Sequence, residues 1–353
     1  MTFKLSLLLI TLSLLGCTTQ NHTLYVGTYT NGDSEGIYQF QFNTETGDLS
    51  NKKLAVSTEN PSFITFSPDK KHIYAAGEGS TSAVSAFKVI EDGQLQFINM
   101  VNSNGKGPCH ISVNNTGERA VVSNYGGGTV STYTIENNGA LNEASQVFNH
   151  NTDSLVSHAH SAQFYEKDLF VSDLGRNAVY KYQLDNDNYK LADSSIVKMT
   201  DNAGPRHFSL TKDGQFIYII NEYANTVTSG KKTAEGFELL QDISTLADDF
   251  KEKSYCADIH LSKNEKFLYG SNRGENSIVV FKRNKKNGTL QKIQNIPVNG
   301  DWPRNFTLAP NGKFLLVANQ RSKNISIYNV NKKTGELSFS YSIEAPTPVC
   351  LLF

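Results

Sequence analysis

The chain has 353 residues, with 33 basic and 34 acidic side chains and a formal net charge of −1. Charged residues make up 19% and hydrophobic residues 38% of the chain, which excludes a disordered protein. The balanced charge argues against nucleic acid as the main partner, because phosphate binding requires a basic face. The 16 Tyr, 20 Phe and 26 Gly, against 3 Met and 1 Trp, favour strands and turns over helices.

The first twenty residues have the pattern of a secretory signal. Lys4 provides a positive start, and residues 5–15 form an apolar core of signal-peptide length. Residues 14–17, Leu-Leu-Gly-Cys, resemble a bacterial lipobox, in which the cysteine is acylated and becomes the mature N-terminus. This predicts a signal peptide over 1–16, a lipidated Cys17 with a short linker over 17–23, and a location in the bacterial cell envelope, at the periplasmic face or the outer membrane. The alternative is an ordinary signal peptide in which Cys17 is incidental.

The other three cysteines are scattered through apolar segments at Cys109, Cys256 and Cys350. Their odd number argues against a disulfide framework, and their spacing matches no metal site. We expect buried free thiols. Beyond the N-terminal segment no apolar run approaches the roughly 20 residues that a membrane helix needs. Membrane contact is therefore expected only through the lipid anchor.

The rest of the chain repeats a unit of four predicted strands. A leading strand that often begins with Pro is followed by an apolar strand, a polar turn and an alternating strand. A Gly turn such as Gly47, Gly93 or Gly139 then leads into the fourth strand, with Asn188 in place of Gly in the fourth copy. The second and third strands of the seven copies are expected within residues 24–40, 73–87, 120–133, 169–182, 216–227, 267–281 and 314–328.

Four-stranded repeats of this length are typical of β-propeller blades. The first copy lacks a leading strand, whereas residues 348–353 supply one with nothing after it. We expect the chain end to complete the blade that begins at Leu24, which hides a sheet edge. The sequence thus predicts one all-β domain over residues 24–353, a seven-bladed propeller with four antiparallel strands per blade. Two stacked sandwiches would not explain a matching half-blade at each terminus.

Ionisable side chains stand where a scaffold repeat would place small or apolar residues. In a propeller, the starts of the leading strands and the ends of the second strands meet at one mouth of the central channel. Leading strands begin with Ser62, Cys109, His160, Arg206, Ala257, Arg304 and Val349, followed by Phe63, His110, Ser161, His207, Asp258, Asn305 and Cys350. Second strands end with Tyr29, Glu78, Tyr125, Leu174, Glu222, Arg273 and Gln320. Charged residues are rarely buried unpaired, so this ring predicts an ion network or a binding site for an anion.

Structural interpretations remain open for several of these residues. In one such interpretation, Glu222 is only the counter-ion of Arg206 or Arg273. In another, Arg206 and Arg304 hold neighbouring blades together. His158 and His160 share one face if both lie on a strand, but no third ligand joins them, so no metal is predicted. No Gly-rich phosphate loop or dinucleotide fingerprint is present, so no cofactor is predicted.

Five motifs in order resemble the lactonase β-propeller family: His-Ala-His at 158–160, Gly-Pro-Arg-His at 204–207, Asn-Glu at 221–222, Ser-Asn-Arg at 271–273 and Trp-Pro-Arg at 302–304. The family includes bacterial 6-phosphogluconolactonases and fungal 3-carboxy-cis,cis-muconate lactonising enzymes. In the muconate branch a His, two Arg and a Glu are the proposed active-site group. The matching positions here are His158 or His160, Arg206, Glu222 and Arg273. Residues 226–230 depart from the family by lacking an aromatic strand ending, and the lipoprotein signal differs from the cytoplasmic location expected of a sugar-phosphate enzyme.

The resemblance implies hydrolysis of a small, anionic sugar lactone, most closely one of the 6-phosphogluconolactone type. A carboxylate or imidazole would take a proton from the attacking water, and guanidinium groups would hold the anion. The alternatives are a carboxymuconate cycloisomerase using the same site and a non-enzymatic surface propeller that binds glycans or proteins. The expected catalytic residues are Glu222, His160, Arg206 and Arg273, and the expected substrate-binding residues are His158, His207, Arg304, His110, Glu78 and Tyr125.

Overall fold

The computed structural model describes residues 21–192 and 196–353, and the predicted signal peptide and Cys17 lie outside these residues. The chain forms seven antiparallel sheets of four strands each. The innermost strands of neighbouring sheets contact one another around a closed ring. The predicted all-β seven-bladed propeller is confirmed.

Within each blade, the strands are numbered in chain order. Blade 1 begins with β1 (Asn21–Thr28), β2 (Gly36–Asn43) and β3 (Leu49–Ser57). Blade 2 contains β4 (Pro61–Phe66), β5 (His72–Gly77), β6 (Ala83–Val89) and β7 (Leu95–Asn102), with a 3-10 turn at Glu91–Gly93. Blade 3 contains β8 (Pro108–Val113), β9 (Arg119–Asn124), β10 (Thr129–Thr134) and β11 (Gln146–Asn149). Blade 4 contains β12 (Ala159–Tyr165), β13 (Asp168–Asp173), β14 (Ala178–Asp185) and β15 (Asn188–Leu191).

The last three blades follow the same order, and the final strand returns to blade 1. Blade 5 contains β16 (Pro205–Leu210), β17 (Phe216–Asn221), β18 (Thr226–Lys232) and β19 (Phe237–Ser244). Blade 6 contains β20 (Tyr255–Leu261), β21 (Phe267–Arg273), β22 (Ser277–Arg283) and β23 (Leu290–Pro297). Blade 7 contains β24 (Pro303–Leu308), β25 (Phe314–Asn319), β26 (Asn324–Val330) and β27 (Leu337–Glu344), and β28 (Pro348–Leu352) ends the chain.

The two ends of the chain close the ring in one sheet. Strand β28 pairs antiparallel with β1, with Tyr25 opposite Leu352 and Val26 opposite Leu351. This is the predicted closure, although β1 begins at Asn21, three residues before the predicted start. In the described part of the chain, no helix has the length and apolar character needed to cross a bilayer.

The hydrophobic core is divided into seven clusters, one between each pair of neighbouring blades. Blades 1 and 7 meet through Phe42 and Phe314, whose rings pack edge to face at 5.6 Å. Burial of these apolar surfaces is the main force that holds the blades together. Cys109, Cys256 and Cys350 are buried and free, as predicted.

Blades 2 to 7 each turn twice on the face opposite the mouth, between the first and second and between the third and fourth strands, and blade 1 turns there once, between β2 and β3. The predicted Gly turns at Gly47, Gly93, Gly139, Gly288 and Gly335 all lie on this opposite face and have φ between 74 and 87°. A Cβ on Gly288 would lie 2.2 Å from the Phe216 ring of the preceding blade. In the corresponding turn of blade 4, between β14 and β15, the residues with positive φ are Asn186 and Asp187, not the predicted Asn188, which already begins β15.

Candidate functional site

Every innermost strand carries an irregularity near its start. The pairing of β16 with β17 shifts between Pro205 and His207, which leaves Arg206 as a bulge residue. The same shift places Ser62, Cys109, His160, Arg304 and Val349 at bulges, and in blade 6 it spans Ala257 and Asp258. A bulge re-aims side chains, so two consecutive positions of the repeat can reach the channel. The cavity on the axis is indeed lined by both positions: Ser62, Phe63, Cys109, Arg206, His207, Arg304, Asn305 and Val349.

A repeated backbone hydrogen bond fixes the residues that follow the second strands. The Glu222 amide donates to the Gly204 carbonyl at 2.7 Å, and the Gln320 amide donates to the Trp302 carbonyl at 3.1 Å. The accepting residues have positive φ, which glycine adopts freely at Gly204 but which is strained for Trp302 at 65°. The side chains of the second-strand ends are therefore held at the mouth by the blade's own backbone.

Glu222 forms the centre of the first charged cluster at the mouth. Its Oε2 lies 2.7 Å from Arg273 Nη2 and 3.1 Å from Arg206 Nε. Both arginines are buried, and each also donates to a backbone carbonyl, Arg206 to Ala257 and Arg273 to Cys256. Their Nε atoms have no hydrogen-bond partner among the described residues, because the contact with Arg206 Nε is an ion pair without hydrogen-bond alignment. Glu222 is thus the shared counter-ion of both guanidinium groups.

Glu78, Tyr29 and Arg304 form the second charged cluster. The Tyr29 hydroxyl donates to Glu78 Oε2 at 2.5 Å, and Arg304 Nη2 lies 3.7 Å from the same oxygen. The Arg304 guanidinium also stands 5.3 Å from the centre of the Tyr29 ring, a cation–π contact. Burial raises the pKa of Tyr29 above its usual range, so the phenol remains a proton donor. Tyr29 was not among the predicted site residues, although it occupies the same repeat position as Glu78 and Glu222.

Cations outnumber anions in these two clusters. Arg206, Arg273 and Arg304 face only the two carboxylates of Glu78 and Glu222. Burial and the charges of Arg273 and Arg304 lower the pKa of Arg206 to about 10. This group still carries its charge at neutral pH, so the two clusters together hold one more positive than negative charge, while a further carboxylate, Asp258, lies deeper in the channel. A site of this kind favours an anionic ligand or an oxygen that becomes negative during a reaction.

His160 lies beside these clusters as a buried imidazole. Its ring meets those of Tyr125 at 5.7 Å and His207 at 5.1 Å, both edge to face. Burial and the charge of Arg206 hold the pKa of His160 well below 6.5, so the ring is neutral at neutral pH. Its Nδ1 is buried and has no hydrogen-bond partner in the described chain.

His158 does not lie on the leading strand as predicted, because it precedes β12 by one residue. Its ring stacks on Tyr125 at 4.5 Å, and its Nδ1 donates to the Tyr125 carbonyl at 3.0 Å. His158 and His160 therefore contact the same tyrosine from different sides. Within residues 21–192 and 196–353, no group of three or more His, Cys, Asp or Glu is placed to hold a metal ion.

A hydrogen-bonded histidine–carboxylate chain lies deeper in the channel. His207 Nδ1 donates to Asp258 Oδ1 at 2.8 Å, and His260 Nε2 lies 2.8 Å from Asp258 Oδ2. Burial would raise the pKa of Asp258, but His260 and His207 hold it well below 3.8. The other ring nitrogen of His207 stands 3.5 Å from Arg206 Nη1. His110 packs on Phe63 at 4.3 Å and on His207 at 5.5 Å, away from the charged clusters.

An aromatic rim surrounds the charged clusters. The Trp302 ring lies 3.4 Å from the Arg321 guanidinium and 5.4 Å from that of Arg273. Tyr255 packs against Trp302 at 6.3 Å, and Tyr223 leaves 46% of its surface exposed next to Glu222. Such faces suit the C–H surfaces of a sugar ring as well as planar groups.

Comparison with known proteins shows the family of the chain that carries this site. The family described as "Lactonase, 7-bladed beta-propeller" matches residues 23–353. The chain belongs to this lactonase family. The 6-phosphogluconolactonase of Formosa agariphila is 35% identical over 306 residues, which cover 81% of this chain and 86% of that protein.

Solved structures of the lactonase propeller agree over almost the whole chain. A putative 6-phosphogluconolactonase from Bacteroides fragilis is 33% identical, has a TM-score of 0.87, and is matched over 95% of this chain and 98% of its own. The periplasmic gluconolactonase of Pseudomonas aeruginosa is 27% identical, has a TM-score of 0.89, and is matched over 94% and 98% of the two chains.

The lactonase propeller brings together most of the residues that the sequence singled out, while their roles stay predictions. Arg206, Arg273 and Glu222 touch directly, and His160 stands beside Tyr125. His110 and His207 lie deeper than the mouth. Besides Tyr29, two further contributors were missed. Asp258 stood in the aligned second position of the repeat, and Trp302 stood in the Trp-Pro-Arg motif, so both had a sequence signal.

Proposed function

We propose that this chain hydrolyses a sugar lactone, of the 6-phosphogluconolactone type, at the mouth of the propeller channel. The observation that carries the proposal is the excess of three arginines, two of them buried, over two carboxylates, beside a neutral imidazole whose Nδ1 has no hydrogen-bond partner in the described chain. Relatives named 6-phosphogluconolactonase and gluconolactonase support the reaction class.

The arginines have the chemistry to bind an anionic lactone and to stabilise the reaction. A guanidinium fork matches phosphate or carboxylate oxygens with two hydrogen bonds. The Nε atom of Arg273 has no partner in the described chain, because its guanidinium group contacts Glu222 through Nη2. A donor that meets the negative oxygen formed on the lactone carbonyl contributes most where water is excluded.

His160 is the better candidate for the general base. Glu222 Oε2 already contacts two guanidinium groups, at 2.7 Å from Arg273 Nη2 and 3.1 Å from Arg206 Nε, so this oxygen is not free to meet a water molecule. The neutral His160 would take one proton from the water that attacks the lactone carbonyl, and the water oxygen would form the new C–O bond. The ring C–O bond then breaks, and His160 returns the proton to the departing alkoxide. Glu222 orients the two arginines.

A panel of lactones tests this assignment. Phosphorylated and plain gluconolactones are offered to the chain from Thr18 onward, and NMR identifies the product as the ring-opened acid. Arg273→Ala is expected to raise KM for the phosphorylated lactone about ten- to hundredfold, since a hydrogen bond to a charged group contributes roughly 1.5–3 kcal/mol. The KM for the neutral lactone should change less.

Arg119→Ala is the matched control, because Arg119 pairs with Asp187 on the opposite face. The proposal is wrong if Arg206→Ala and Arg273→Ala hydrolyse the phosphorylated lactone as well as the parent. It is also wrong if the chain converts a carboxymuconate into its lactone and opens no sugar lactone.

The proposal includes anchoring in the cell envelope through Cys17. The lipobox-like residues 14–17 support it, and they lie outside the described residues. Metabolic labelling with a fatty acid is expected to label the parent chain and not Cys17→Ser. Equal labelling of both chains would contradict the proposed acylation.

A further inference from the structure

Lysines gather on one sector of the opposite face, far from the site. They belong to the turns and strand ends of blades 5, 6 and 7, and each is exposed. The same turns contain only three acidic residues, Asp213, Glu265 and Glu336. We call this surface the lysine patch: Lys212, Lys263, Lys266, Lys282, Lys285, Lys286, Lys332 and Lys333.

The lysine patch is not neutralised by neighbouring carboxylates. None of its amines forms an ion pair within residues 21–192 and 196–353. Instead, Lys212 Nζ donates to the Lys263 carbonyl at 3.1 Å and Lys285 Nζ donates to the Asn264 carbonyl at 3.2 Å. These contacts draw the amines of Lys212 and Lys285 to the turn that contains Lys263, although the chain as a whole has a net charge of −1.

A groove between blades 6 and 7 opens within the patch. Lys263 and Lys332 line it together with the amides of Asn264 and Asn311. The apolar floor includes Phe267 and Leu308. Two ammonium groups and two amides around a shallow apolar groove match the phosphate and the first carbons of a lipid headgroup.

The chain enters the propeller on this same face. Strand β1 runs from the opposite face toward the mouth, and its first residue, Asn21, is paired with Asn43. The adjacent Thr44 carbonyl accepts a hydrogen bond from Asn311, which lines the groove. Cys17 precedes Asn21 by four residues, so a lipid on Cys17 can lie at most about 14 Å of extended chain from Asn21.

We propose that the lysine patch docks on a bilayer that contains anionic phospholipids, which turns the mouth of the channel away from the membrane. The charge of the patch, the headgroup-sized groove and the position of Asn21 favour a lipid surface over a soluble partner. The biological setting rests on the proposed anchor at Cys17, but the docking itself does not require the acyl chain or the lactonase activity.

The test uses the chain from Thr18 onward, which lacks the acyl group and retains every described strand pairing. Its co-sedimentation is measured with vesicles of phosphatidylcholine alone and of phosphatidylcholine with phosphatidylglycerol. Binding should be at least tenfold stronger to the anionic vesicles, since each lysine near such a surface contributes about fivefold. It should be lost between roughly 0.1 M and 1 M salt, where the screening length falls from about 10 Å to about 3 Å.

Two variants with the same change of net charge separate the patch from overall charge. Lys→Gln at 263, 285, 286 and 332 should abolish the preference for anionic vesicles, while Lys→Gln at 52, 53, 167 and 190 should preserve it. Circular dichroism and lactone hydrolysis monitor the fold and the mouth. Retained binding by the patch variant, or an equal loss in the control, would overturn the proposal. Binding to soluble polyphosphate without any binding to vesicles would also overturn it, in favour of a soluble polyanion.

Discussion

The mouth of the channel and the opposite face are built from the same seven repeats, yet the copies agree at one end and differ at the other. On the opposite face, Gly47, Gly288 and Gly335 repeat one conformation, and each lies against a phenylalanine of the preceding blade. At the mouth, equivalent positions carry Arg206, Arg304 or His160 in one blade and Ser62 or Val349 in another.

This difference indicates that the opposite face closes the ring and that the mouth carries the chemistry. The Gly turns of blades 1, 6 and 7 each pack on a phenylalanine of the preceding blade, so these copies meet the same steric requirement. The mouth collects one residue from each blade, and a change in one copy alters the site without disturbing the turns. Substitutions at the mouth should therefore change activity, and substitutions on the opposite face should change stability. The following predictions test this separation.

The largest effect is expected from His160→Gln. Removal of a general base typically lowers the rate by about 10²–10⁴-fold, and glutamine retains a polar side chain of similar reach. The measurement is kcat for lactone hydrolysis, together with the urea midpoint of unfolding. His72→Gln is the control, since this half-buried histidine lies against Gly139 on the opposite face. A kcat within twofold of the parent would remove His160 from the mechanism.

A second large effect is expected on stability at acidic pH. Burial lowers the pKa of His110, His160 and His207, the last to about 4, whereas an unfolded histidine titrates near 6.5. Below pH 6.5 these histidines bind protons in the unfolded chain, whereas in the folded chain they stay neutral until the pH is lower. Stability is therefore complete above pH 6.5 and decreases by about 1.4 kcal/mol per pH unit for each such histidine as the pH falls.

His260 changes stability with pH in the opposite direction, but it is one histidine against three. Burial would lower its pKa, yet Asp258 raises it, so its contribution is present below its unfolded pKa and is lost as the pH rises through the folded value. Urea unfolding curves recorded near neutral pH and about two pH units lower measure the net change in the free energy of unfolding. A constant midpoint would show that the channel histidines titrate normally, and His110→Gln should reduce the slope.

The sequence predicted the ring better than the site, for identifiable reasons. Leading strands, Gly turns and two terminal half-blades are local patterns that repeat, so the closure of β28 on β1 could be read from them. The bulges could not, because a bulge depends on the pairing with the next strand and leaves no residue-type signature at Arg206 or His160.

Contacts between blades were the other element that sequence reasoning missed. Asp258 belongs to blade 6 and His207 to blade 5, and their hydrogen bond follows only from the position of the two strands side by side. The pairing of Glu222 with Arg273 also crosses this blade boundary, whereas its pairing with Arg206 lies within blade 5. Alignment of the repeats predicted that these residues share the mouth and that Glu222 could pair with Arg206 or Arg273, but not that it pairs with both or that Asp258 bonds His207.

An intermediate effect is expected from Gly288→Ala on the opposite face. The new Cβ would meet the Phe216 ring at 2.2 Å, and φ of 78° is unfavourable for alanine. Gly312→Ala is the matched control, because its φ of 65° is similar and nothing lies within 4 Å of its Cβ. Both should lose about 1–3 kcal/mol from backbone strain, and Gly288→Ala more because of the clash. Equal urea midpoints, or a loss of kcat in the folded variants, would break the proposed separation.

The smallest effect is expected from Asp258→Asn, which lies between the two ends of the channel. Asparagine keeps the shape and a hydrogen bond to His207 but removes the charge that raises the pKa of His260. The pKa of His260 should therefore fall relative to the parent, as followed by NMR titration. Asp258 also orients Arg206 through His207, and weakening one such contact should lower kcat/KM by about fivefold.

Asp213→Asn, an exposed change on the opposite face, controls for net charge. An unchanged pKa of His260 would show that Asp258 does not set the charge of the channel, and an unchanged kcat/KM would show that Arg206 is held at the mouth without it.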